Sequence, residues 1–160
     1  MLVCGQVNPP PVSSTGYSGV YFSEKDDMQG KAKALKGTPL RVEHDDKMHV
    51  GRVLNGWTDA TTGAMWALAE IDTQQLGGAM TAAAVEKGHF GEFSLGYVTK
   101  MQRNGEGVNA TDKRIVELSI VKKGAREGCK IHMRADGNSN DNNDMNGACK
   151  KKMLELKRKR

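Results

Sequence analysis

The sequence predicts a mostly β fold with helices, an α+β arrangement built on a closed or partly closed antiparallel β-barrel. Three observations lead there. Short alternating apolar segments recur between turn residues, one Ala-rich window carries a sustained helical signal, and strands do not alternate with helices as βαβ units require.

Taken in order, "YSGVYFS" (17–23) reads as a first strand after a Pro-rich lead-in at Pro9–Pro11. "DDMQGKAKALKGT" is polar and broken by glycine, which suits a loop with a short helical turn. "PLRVEHD" (39–45) and "MHVGRVLNGW" (48–57) read as two strands joined by a tight turn at 45–47. "AMWALAEID" (64–72) is continuously apolar, and periodicity does not separate helix from strand there; its place after the Thr-Thr-Gly turn favours strand. Residues 73–88 predict a helix with Thr73 as cap and Gly88 as stop, although Gly77 and Gly78 each weaken it by roughly 1 kcal/mol relative to alanine. The run "GHFGEFSLGYVTK" (88–100) predicts the strand that carries Ser94, "RNGEGVNATD" (103–112) a loop, "KRIVELSIVKK" (113–123) a strand and "CKIHMRA" (129–135) a last one. The polar run 136–147 is expected to be disordered, because it offers too little apolar surface to offset its ordering entropy. The resulting organisation is an irregular segment at 1–16, the barrel domain at 17–134, and a disordered linker with a basic tail at 135–160.

The 160 residues suffice for one domain with its own core, and no apolar run approaches the ~20 residues of a membrane helix. No secretory signal is apparent at the N-terminus. Net charge is +5, but residues 150–160 hold seven of the 24 basic side chains and one of the 19 acidic ones. The remainder, 17 basic against 18 acidic residues, is near neutral, which argues against a nucleic-acid-binding domain, as does the 5% aromatic content. Cys4, Cys129 and Cys149 share no metal-ligand spacing and are expected to be reduced thiols in an intracellular setting.

The chemistry centres on Ser94, set in "GEFSLGY" with Gly96 on its own face and Phe93, Leu95 and Tyr97 on the other. Serine needs a base to accept its proton, usually a histidine. Of His44, His49, His89 and His132, alternation puts His44 on the core-side face with Leu40 and Val42, either as a satisfied core residue or as a base in a dry site. His49 lies on the face opposite Val50, His89 in a Gly-rich turn, and His132 is expected to be solvated. His44 and His49 with Asp45 and Asp46 alternate between faces, so no metal is expected. Glu117 interrupts an apolar strand; either its face is solvated or the carboxylate has a partner such as His44. Ser119, two residues on, is a rival nucleophile. The turn after this strand, with Gly124 and Gly128 among Lys122, Lys123 and Arg126, offers backbone donors for an oxyanion or is simply a solvated loop.

The order of these pieces is "V-E-H-D", "V-G-R-V", a helix, "F-S-L-G-Y", and "V-E-L-S-I-V…G-A-R-E-G-C". From Tyr17 to Met133 it resembles the capsid maturation proteases, the prohead proteases of tailed phages and the assemblins of herpesviruses. The resemblance implies a serine endopeptidase on a β-barrel of its own type, cleaving scaffold and capsid precursors inside an assembling shell. It puts the nucleophile at Ser94 and the general base at His44. Herpesvirus enzymes carry a second histidine early in the strand matching "RIVELSIV", where this chain has Arg114 and Ile115. The phage pattern instead completes the triad with a glutamate, which falls on Glu117. The oxyanion motif corresponds loosely to Lys122–Arg126, with Lys123, Gly124 and Arg126 as the candidates. No cofactor or membrane is implied. Scaffold and capsid precursors are the partners, a homodimer is compatible, and the location is the assembling capsid, with the basic tail suiting a host nucleus. The rival from another class is a non-catalytic barrel that binds capsid or scaffold.

Overall fold

A computed structural model of the chain describes residues 1–10, 16–17, 20–21, 29–104, 107–134 and 145–158. Its strands are β1 (Leu2–Asn8), β2 (Gly16–Tyr17), β3 (Val20–Tyr21), β4 (Pro39–Val42), β5 (His49–Thr58), β6 (Met65–Ile71), β7 (Glu92–Asn104), β8 (Gly107–Val121) and β9 (Ile131–Arg134). A 3-10 helix (Gln29–Leu35), α1 (Leu76–Glu86) and α2 (Met145–Lys157) complete the described elements.

All nine strands join one sheet in the order β2-β3-β8-β4-β5-β6-β1-β9, with β7 on the other edge of β8. The sheet curls until the segment leading into β9 reaches the start of β7, joined by the Glu92–Lys130 bridge and by main-chain bonds such as Phe93 N–H to Cys129 O (2.7 Å) and Ile131 N–H to Gly91 O (2.8 Å). The barrel is therefore partly closed, an open curl instead of a continuous ladder. It is also mixed where antiparallel pairing was expected: β8 runs parallel to β3 and to β4. The second of these pairings decides where the site lies. Val42 and Ile120 are register partners, so β4 and β8 end side by side and the turns that follow them are neighbours.

The interior is filled by one face of each long strand, with Leu40, Met65, Phe93, Leu118 and Ile120 almost fully buried together with Leu35 of the 3-10 helix. A second apolar cluster lies on the opposite face of β1 and β6, where Leu2, Cys4, Trp66 and Leu68 pack against Cys149 and Met153 of α2. β6 is thus covered on both sides, which is why "MWALAEI" is continuously apolar and carries no period of two. It is a strand, as its hairpin context indicated.

Several expectations are corrected. Residues 2–8, expected to be irregular, form the wholly buried strand β1 between β6 and β9. Cys4 and Cys149, expected to be free thiols, form a disulfide; Cys129 is free and buried. That bond, with Cys149, Met153 and Leu156 at i, i+4 and i+7, fixes α2 in the stretch expected to be a linker and a basic tail. The expected disorder at 136–147 falls mostly outside the described residues. The expected loop at 103–112 is strand almost throughout, because β7 and β8 continue as a polar ribbon to the Asn104–Gly107 pair. The strand expected at 17–23 is represented by the short β2–β3 pair, with 18–19 and 22–23 outside the described residues. Strand β4 ends at Val42, three residues before the expected boundary. Helix α1 starts after Gln75, which makes no side-chain cap, and the turn before it is held by the Asp72 carboxylate instead of Thr73. Gly88, at φ 75°, follows its C-terminus as expected.

Gly5 marks the tightest contact of the barrel seam. A Cβ there would lie 2.2 Å from the Lys130 carbonyl oxygen, a backbone atom that cannot rotate away. Gly5→Ala is expected to destabilise the fold by ~1–3 kcal/mol, read as a lower urea midpoint at unchanged m-value.

Candidate active site

Ser94 and Glu117 come from one regular ladder. In the β7–β8 register Ser94 faces Ser119 and Gly96 faces Glu117, and cross-strand partners share a face, so these four residues form one patch. Phe93 and Leu95 point the other way, into the core. A bulge between Gly96 and Tyr97 leaves Val116 without a partner, which returns Ile115 to the core face with Leu118 and Ile120 instead of the Glu117 face.

His44 arrives from outside the ladder. Alternation assigned it to the core face of a strand, but the chain leaves β4 at Val42, and Glu43 and His44 take left-handed backbone conformations (φ 49° and 61°). The turn is closed by Asp45 N–H to Val42 O (3.0 Å), Met48 N–H to Asp45 O (3.1 Å) and Lys47 N–H to the Asp45 carboxylate (2.9 Å). Two left-handed non-glycine residues carry a penalty of roughly 1–2 kcal/mol each, which their surroundings offset. Glu43 N–H donates to Ile120 O (3.1 Å), His44 N–H to Ser119 Oγ (3.0 Å), and the Glu43 carboxylate accepts Lys122 N–H (2.9 Å). The imidazole is consequently 45% exposed, at the rim of the sheet over the Ser94–Glu117 patch.

Its two nitrogens are both engaged. Nδ1 lies 2.6 Å from Glu117 Oε1 and Nε2 lies 2.9 Å from Ser94 Oγ. A carboxylate oxygen accepts, so Nδ1 carries the proton and Nε2 is left to accept the Ser94 hydroxyl; this tautomer follows from the hydrogen-bond network. Glu117 is only 3% exposed, and its other oxygen accepts the Ser119 hydroxyl at 2.7 Å. The Glu117 hydrogen bond and its charge raise the His44 pKa above the ordinary value, against an opposing contribution from partial burial; Glu43 adds to the rise and Arg41 opposes it.

Gly96 clears space for the carboxylate: a Cβ there would stand 1.8 Å from Glu117 Oε1.

A cavity of about 260 Å³ opens beside Ser94 and His44, walled by Val7, Asn8, Leu95, Tyr97, Arg126 and Cys129 among others. Burial pushes the Cys129 thiol up to about 12, so it stays neutral and is no rival nucleophile. Ser119 is no rival either, being fully buried with its hydroxyl donated to Glu117. Of the residues expected around an oxyanion, Arg126 borders the cavity and its guanidinium donates to the Asn8 side-chain oxygen. Gly124 N–H is instead given to the Glu92 carboxylate (2.6 Å), and Lys123 is exposed and away from the cavity. His49 and His89 are exposed, while His132 is half-buried with its ring 5.2 Å from that of Trp66, where a solvated side chain was expected. Among the described residues no His, Cys, Asp and Glu side chains gather in a set that could hold a metal ion. Val7 and Asn8 escaped sequence reasoning because β1 did; the apolar alternation of Val3 and Val7 was their only signal.

Gly96→Ala is expected to displace the Glu117 carboxylate while leaving the ladder paired. In an NMR titration the His44 midpoint should fall toward the ordinary histidine value of about 6.5. An unchanged midpoint would show that the carboxylate does not depend on that space.

No protein family and no curated protein matches the sequence. Solved structures do. The protease of Kaposi's sarcoma herpesvirus, crystallised with a hexapeptide phosphonate inhibitor, superposes at a TM-score of 0.54 and 13% identity over 81% of this chain and 63% of that one. The same protease with an allosteric inhibitor gives 0.48 and 14%, over 81% and 75%. This chain therefore spans less than two thirds of the first of these, and the likeness is one of architecture: a mostly β chain with few helices that has the assemblin-like fold in an open, mixed sheet.

Proposed function

We propose that the chain is a serine endopeptidase in which Ser94 is the nucleophile, His44 the general base and Glu117 the residue that orients His44. The observation that carries this is the imidazole bonded on both sides, to an alcohol at Nε2 and to a buried carboxylate at Nδ1, beside an open cavity. In the first step Ser94 Oγ attacks the scissile carbonyl as its proton passes to Nε2. The imidazolium, held by Glu117, then protonates the leaving amine and the C–N bond breaks, leaving an acyl-enzyme. A water enters, gives its proton to Nε2 as its oxygen attacks the ester carbonyl, and Ser94 is released with the proton returned. The developing oxyanion needs donors near Ser94. Ala125 and Arg126 line the same cavity, whereas Lys123 does not and the Gly124 N–H is given to Glu92, so the first two are better placed for that role.

The sequence resemblance and the shared architecture supply the substrate class: scaffold and capsid precursor proteins processed in an assembling viral shell, with a homodimer compatible. The basic residues of α2 and those after it suit either docking or nuclear entry.

Wild-type protein is expected to react stoichiometrically with a fluorophosphonate probe at Ser94, and Ser94→Ala to be unlabelled and slower in precursor cleavage by several orders of magnitude. Failure of a folded sample to label would favour the non-catalytic binding barrel.

The pH dependence has a definite sign. His44 acts only when neutral, and its pKa is raised. The acid limb of kcat/KM should therefore have its midpoint above the ordinary value of about 6.5. In Glu117→Gln the midpoint should drop and the plateau fall sharply, with folding retained.

A further inference from the structure

Ser119 carries two bonds that bear on His44 without touching it through its ring. Its hydroxyl donates to Glu117 Oε2 (2.7 Å), the oxygen that does not face the imidazole. The Ser119 hydroxyl oxygen in turn accepts His44 N–H (3.0 Å), the backbone donor of a residue in the left-handed conformation. One hydroxyl thus ties both the carboxylate and the turn that delivers the ring, from a position with no exposed surface. Without it a carboxylate oxygen and a backbone N–H would lose their partners on a buried face. The carboxylate could also turn about its terminal torsion, which is soft. Gly96 leaves space beside Oε1, the oxygen that faces the imidazole, and Ser119 holds the other one.

We propose that Ser119 is a positioning residue for the Ser94–His44–Glu117 relay, fixing the carboxylate plane and the His44 backbone in register so that Nδ1 meets Glu117 and Nε2 meets Ser94. The proposal rests on the protease reading for its kinetic consequences, whereas the hold on the imidazole is a property of the folded protein. Other charged groups near the ring, Glu43 and Arg41, act on it through space and are not bonded to Ser119.

The test compares Ser119→Ala in two backgrounds. In the wild type the variant is expected to lower kcat by about 10- to 100-fold with KM changed by less than about twofold, the size of a lost hydrogen bond to a charged group. In Glu117→Gln the same change should lower kcat by less than about twofold, since the group it positions is gone. A merely structural serine would act equally in both backgrounds or through thermal stability alone, so equal factors, or a loss carried by KM, overturn the proposal.

A second readout needs no turnover. By NMR the His44 titration midpoint should fall toward the ordinary value in Ser119→Ala and stay put when Ser119→Ala is added to Glu117→Gln; an unmoved midpoint in the first case overturns the proposal. Should Ser119→Ala not fold, Ser119→Cys, a weaker donor of similar volume, gives a smaller loss with the same pattern. Absence of Ser94-dependent labelling in the wild type would defeat the protease reading alone, and the titration would still decide whether Ser119 holds the ring.

Discussion

A carboxylate on the β8 ladder, almost closed off from solvent, is the constraint around which this molecule is arranged. A buried carboxylate without hydrogen-bond partners would be penalised by several kcal/mol, and the neighbours of Glu117 are shaped to prevent that. One cross-strand partner, Gly96, has no side chain and makes room for it. Two residues along the same strand, Ser119 supplies a hydroxyl to one oxygen. The other oxygen faces the His44 ring. Each of these satisfies the carboxylate, and together they also orient an imidazole toward the Ser94 hydroxyl. The contacts that satisfy the carboxylate are thus the same ones that orient the ring.

The parallel pairing of β4 with β8 explains how a residue 50 positions before Ser94 and 73 before Glu117 reaches them. Strands that run the same way finish at the same end, so the turn after Val42 falls beside Ser119 and Ile120. An antiparallel neighbour would have sent His44 to the far end of β8. The left-handed pair Glu43–His44 then turns the chain back over the ladder, and its strain is offset by backbone bonds into β8. Strained backbone supported by its surroundings is a common companion of functional sites, and here it sets the direction of the ring.

The legible parts of the sequence were those governed by local periodicity. Ser94, Gly96 and Glu117 lie in regular strands, so alternation put each on a definite face. His44 was picked out by residue type, but its face was misjudged, because nothing in "VEHDD" announces two positive φ angles without a glycine. The purpose of Gly96 depends on its cross-strand partner, and the pairing of two positions 21 residues apart is not written in either of them. β1 and α2 were missed together for one reason: each covers the other. The buried alternation of residues 2–8 makes sense only when α2 lies on the outer face of β1 and β6, and a Cys4–Cys149 bond spanning 145 residues has no local signature. The polar ribbon at 103–112 was read as a loop because its residues lack the apolar alternation that reveals a strand.

The turn after β8 shows how the cavity wall is tied to the same frame. Its Lys122 N–H is held by Glu43, the residue before His44, and its Gly124 N–H by Glu92, two residues before Ser94. The segment that leads into Ala125 and Arg126 is therefore suspended between the residue preceding His44 and the strand carrying Ser94. Hydrogen bonds from backbone N–H groups to carboxylates are short and directional, so they transmit position better than apolar packing would. A shift of β7 or of the His44 turn must carry the wall of the cavity with it. The imidazole and the cavity wall keep their spacing from Ser94 because carboxylates tie them together: Glu117 holds the ring, and Glu43 and Glu92 hold the wall.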